Sequence, residues 1–181
     1  LAISWLLLRF ERRGLDAIGG DQPRRRLREW AIGFLALGSA AAIQQLGLAL
    51  ATGNRFVPNS ALELPSLLRS GRFVVNSVLF EELVFRGYLL YQAIRWLGVR
   101  RGVWLSAAAF GIYHWFSYGV FGQPVVMAYV FLLTGAYGLM WARAFAATGS
   151  VAAPIGLHLG WNAVAYLVFS AGPTGPGLLV P

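Results

Sequence analysis

Residues 80–90 read FEELVFRGYLL and place Glu81, Glu82 and Arg86 inside an apolar run that spans 73–96. A charge at the centre of a helix in lipid costs about 2.5–3.5 kcal/mol on insertion scales. Three within six residues must therefore face protein or a water-filled cavity, and they need partners. Glu82 and Arg86 are four apart, share a helix face and can pair. Glu81 lies about 100° around the helix from Glu82 and five residues from Arg86, which leaves it no local counter-ion. All three can be read as one structural ion cluster gluing helices together, and for Glu82 and Arg86 that reading is preferred. For Glu81 a chemical role is preferred, because a second carboxylate is not needed to neutralise one arginine.

The rest of the composition says what surrounds that stretch. The 181 residues are 57% hydrophobic and 12% charged, about half the charge of a soluble domain, which points to a membrane. All 15 basic residues are arginine and the net charge is +8. They cluster in short segments between apolar runs, as topology signals and anionic-lipid contacts do, so nucleic acid is not an expected partner. With no cysteine, disulfides and thiolate metal sites are excluded. The chain shows no signal-peptide pattern. Its opening, LAISW, reads as the tail of a longer helix.

A spanning helix needs about 20 mainly apolar residues. The sequence therefore predicts an all-α, polytopic membrane bundle of about six spans, at 1–8 (truncated), 30–51, 73–97, 103–118, 124–141 and 150–171. Residues 1–29 hold the truncated span and an Arg-rich interfacial loop, 30–171 form the core, and 172–181 read as a flexible tail. Leucines at 62, 64, 67 and 68 among polar residues predict an amphipathic helix over 53–72, lying on the membrane. Trp5, Trp30, Trp96, Trp104 and Trp141 suit an interfacial belt, and Gly135 and Gly138 suit close helix packing. The segments 9–29, 95–101 and the neighbourhood of 143 hold eleven arginines, against three at 55, 69 and 72. Placing the eleven inside puts the C-terminus outside the cytoplasm. Glu81 is nine residues past Arg72, about 13 Å along a helix. That turns the expected site toward the 53–72 side, away from the cytoplasm of a bacterial inner membrane.

His114 and His158 are the chain's two histidines, and both fall inside spans. A lone buried histidine is usually a satisfied core residue. Two, together with a carboxylate on a third span, form a less accidental set. Asn162 follows His158 by four, which stacks an imidazole and a carboxamide on one helix face. Three spans can thus project Glu81, His114, His158 and Asn162 into one cavity, with parts for activating a water and stabilising an oxyanion.

The stretches FEELVFRG, FGIYH and HLGWN resemble the three motifs EExxxR, FxxxH and HxxxN of the CPBP intramembrane protease family, also called the Abi or type II CAAX prenyl protease family. The resemblance covers about residues 73–171, with the motifs in order and each on its own span. It implies that Glu81 is the catalytic glutamate and that His114 works with it on the water. His158 and Asn162 would support the oxyanion, and Glu82 and Arg86 would be the structural pair. The implied function is an intramembrane endopeptidase acting on a membrane-associated, in some members lipid-modified, substrate. Membrane lipids and partner membrane subunits are the other expected partners.

Zinc is the alternative cofactor, with Glu81, His114 and His158 offering a carboxylate and two imidazoles. HExxH is absent and no further histidine is available. A metal-free reaction, with Glu81 as general base on a water held by His114, is therefore preferred. Two other functions compete. One is a non-catalytic scaffold, an immunity-type protein or a subunit of a larger complex that keeps the polar cluster for folding. The other is a proton-coupled transporter, which would carry a pseudo-symmetric repeat that the sequence lacks.

Overall fold

The computed structural model describes residues 2–181. Leu1 lies outside the described residues. The fold is all-α: α1 (Ala2–Phe10), α2 (Pro23–Thr52), α3 (Leu64–Phe85), α4 (Tyr88–Ser117), α5 (Pro124–Thr148) and α6 (Ala152–Asn162), with a 3₁₀ turn at Leu15–Ile18 and a π turn at Ala163–Val168. The chain divides into two compact units. One takes in the chain up to Leu27 and Glu81–Pro154, the other Arg28–Phe80 and Ile155–Pro181.

In the first unit α4 packs against α5, and Leu8, Ile18, Leu90, Val103, Ala142 and Phe145 form a buried core. The α4 helix is sharply kinked at Gly98, whose φ of 78° and ψ of 163° no helix accommodates and which a residue with a Cβ adopts only with strain. In the second unit, Gly156 and Gly160 of α6 let the backbone of α2 approach. A Cβ on Gly160 would lie 2.2 Å from the Phe34 carbonyl oxygen, whereas one on Gly47 would meet nothing within 4 Å. Gly160→Ala is thus expected to destabilise by about 1–3 kcal/mol through overpacking. Gly47→Ala should be neutral or stabilising by up to about 1 kcal/mol. Thermal midpoints in one detergent check the pair.

Two stretches, Leu15–Thr52 and Pro124–Thr148, are long and apolar enough to cross a membrane, with only 17% and 28% of their apolar windows buried. A core helix of a soluble protein would be mostly buried. Here Ile32, Leu35, Ile43 and Leu50 of α2, and Val125, Tyr129 and Leu132 of α5, face outward, as lipid-facing residues do.

Several boundaries differ from the sequence reading. The predicted span 73–97 is two helices. Its apolar character continues through 86–90, but the chain turns at Arg86 and Gly87, where a Cβ on Gly87 would sit 2.3 Å from the Leu83 carbonyl oxygen. The separate surface helix expected over 53–72 is absent among the described residues. Instead α3 starts at Leu64, with Pro65 in its first turn, where a missing N–H costs nothing, and it runs unbroken past Arg72. Glu81 is consequently in the last turn and a half of α3, so its distance from Arg72 no longer sets its depth. The α6 helix is short and passes into the π turn after Asn162. Residues 172–181, read as a flexible tail, are hydrogen-bonded: Leu179 and Val180 pair antiparallel with Pro58 and Val57, and the Asn59 side-chain amide donates to the Gly177 carbonyl at 3.0 Å.

Candidate active site

The EExxxR stretch forms the end of α3 and the turn after it. Its three charged side chains are buried, Glu82 and Arg86 completely. The Arg86 Nη1 lies 3.3 Å from Glu82 Oε1, and its Nη2 donates to the Gly138 carbonyl of α5 at 3.0 Å. The guanidinium carbon stands 4.2 Å over the Phe110 ring centroid, 5.4 Å from that of Trp141 and 5.7 Å from that of Phe85. A buried arginine needs such company, because its desolvation is offset only by a close anion, carbonyl acceptors and ring faces. This side chain therefore ties α3 to α4 and α5. Gly138 is part of the arrangement: a Cβ there would sit 3.0 Å from Arg86 Nη2 and 3.1 Å from Phe110.

One of these neighbours escapes a sequence reading. Trp141, expected in the interfacial belt, is 4% exposed and meets the Phe110 ring edge-on at 5.4 Å. The only signal for it was its spacing of three from Gly138, which puts both on the α5 face turned to Arg86. By contrast Trp5, Trp96 and Trp104 are exposed.

One helix turn on from Phe110, His114 packs its ring on that phenyl group, with centroids 4.5 Å apart, and it is flanked by Tyr113 and Tyr118. Its Nδ1 is 2.8 Å from the Phe110 carbonyl oxygen. A carbonyl can only accept, so Nδ1 carries the proton, and in the neutral ring the lone pair is on Nε2. That Nε2 is 4.0 Å from Glu81 Oε2. Both side chains are buried, at 6% and 7% exposure. The separation is too long for a direct hydrogen bond and suits one small molecule that donates a hydrogen bond to each. Phe110 thus performs two tasks, seating Arg86 with its ring and orienting His114 with its carbonyl.

The other two residues of the expected set belong to the second unit. His158 is buried, Asn162 is half-buried, and they stand one turn apart on α6. A catalytic zinc takes three protein ligands at about 2.0–2.2 Å. Among the described residues no three His, Asp or Glu side chains are grouped to hold an ion.

The family model for the type II CAAX prenyl endopeptidases, Rce1-like, matches residues 63–164, which contain all three motifs. No curated protein and no solved structure matches the chain. Since that match takes in more than half of the chain, the protein belongs to the Rce1-like family of type II CAAX prenyl endopeptidases.

Proposed function

We propose that this protein is an intramembrane endopeptidase that hydrolyses a peptide bond of a membrane-associated, lipid-modified substrate, using a water activated by Glu81 and His114. The observation that carries the reading is the buried pair itself: a carboxylate 4.0 Å from a ring nitrogen whose lone pair is fixed toward it by the Phe110 carbonyl.

In this reading a water in that gap donates one hydrogen bond to His114 Nε2 and the other to Glu81. Glu81 takes the proton as the water oxygen attacks the scissile carbonyl carbon. The tetrahedral intermediate then collapses with cleavage of the C–N bond, and Glu81 returns the proton to the departing amine. Water and peptide become one carboxylic acid and one amine, with no other reactant. Low dielectric around the pair strengthens each of these interactions. His158 and Asn162 act as donors to the oxyanion, a role supported by their one-turn spacing and by the family motif. The substrate class is supported by the family that the chain belongs to.

The test is reconstitution of the purified protein in liposomes with a prenylated CAAX peptide and its unprenylated counterpart. New termini found by mass spectrometry with the prenylated peptide are the expected outcome. Absence of cleavage of either would favour a scaffold that retains the polar cluster for folding.

A further inference from the structure

At the far side of the kink in α4, a groove of about 510 Å³ opens between α4 and α5, lined by Val99, Arg100, Val103, Trp104, Arg143, Ala146 and Ala147. None of these residues belongs to the Glu81–His114 site. The walls are apolar apart from two arginines, and no acid contributes to them. Neither Arg100 nor Arg143 has a hydrogen-bond or ion-pair partner among the described residues. This contrasts with Arg26, Arg86 and Arg95, each held by a carboxylate. Trp104 stands exposed at the groove, where an indole suits the boundary between headgroups and acyl chains.

We infer that this groove is a binding site for one anionic phospholipid, its phosphate held by Arg100 and Arg143 and an acyl chain lying along Val99, Val103, Trp104 and Ala146. Arginine serving only as a topology signal needs no particular neighbours. Two unpaired guanidiniums flanking one apolar groove match a ligand that has a charged head and a hydrocarbon body. The volume falls within the usual range of about 300–1,000 Å³ for small-molecule sites. A bidentate guanidinium–phosphate contact supplies the geometry that lysine would not.

Native mass spectrometry of the purified protein in detergent, with equal amounts of phosphatidylglycerol and phosphatidylcholine, tests this. One tightly retained phosphatidylglycerol per chain is expected. An arginine near an anionic lipid contributes about fivefold in affinity, so the double variant Arg100→Gln/Arg143→Gln should lose about 30-fold of the preference. Arg69→Gln/Arg72→Gln, which removes the same charge elsewhere, should keep it. Trp104→Ala should weaken retention of the lipid while leaving both arginines in place. Equal retention of the two lipids by the wild type would overturn the assignment. So would an unchanged preference in the groove variant, or an equal loss in the control. Displacement of the lipid by excess inorganic phosphate would show a free-anion site and overturn it too.

Discussion

Replacing Arg86 with alanine is expected to abolish most of the folded, monodisperse protein recovered in detergent. The side chain is fully buried, 3.3 Å from an equally buried Glu82, and it bonds α5 through the Gly138 carbonyl. Removing it leaves a carboxylate buried without its cation, which typically costs about 3–5 kcal/mol, a large part of the stability of most domains. It also empties the space bounded by the Phe85, Phe110 and Trp141 rings. The double variant Glu82→Gln/Arg86→Met should recover much of the loss, because it leaves no charge behind. Size-exclusion profiles and thermal midpoints of the three proteins decide it. If Arg86→Ala behaves like the wild type, the pair is not what holds α3 to α4 and α5.

The second large effect falls on activity. Glu81→Gln keeps the size and polarity of the side chain but cannot take a proton from water. General-base catalysis contributes about 10²–10⁴-fold, so cleavage of the prenylated peptide should fall by that factor. Folded yield should stay close to that of the wild type, since Glu82 and not Glu81 makes the close contact with Arg86. Equal damage to yield and activity would show that the two carboxylates do not divide their roles in this way.

How much of this could be read from the residues depends on the physics behind each feature. Apolar runs announced the helices, because lipid-facing and core faces both demand them. The spacing of four made the Glu82–Arg86 pairing legible, since it follows from helix geometry alone. The break at Arg86–Gly87 was hidden because the apolar run continues through Tyr88, Leu89 and Leu90. Hydropathy cannot register a turn imposed by close backbone packing at Gly87. Hydropathy erred the other way over α3, dividing one helix into a surface helix and a span: nothing between Leu64 and Phe85 breaks a helix, although polarity changes along it. Leu179 and Val180 form too short a ladder to show any period. The proximity of Glu81 to His114 depends on how α3 meets α4, which no local pattern contains. The Phe110 carbonyl that orients His114 belongs to the backbone and leaves no mark on residue identity. Trp141 was misplaced because an indole near a helix end serves a core as readily as a membrane interface.

The central claim is that Glu81 and His114 act on one water, and a kinetic double-mutant cycle tests it most directly. Rates of prenylated-peptide cleavage would be measured in liposomes for the wild type, Glu81→Gln, His114→Gln and the double variant. Groups that act as a unit are strongly non-additive. Each single substitution should therefore bring the rate close to the residual level, and the double variant should fall little further. Multiplying losses, with the double variant slower by the product of the two single effects, would mean that the residues act at separate steps. That result would contradict the shared water.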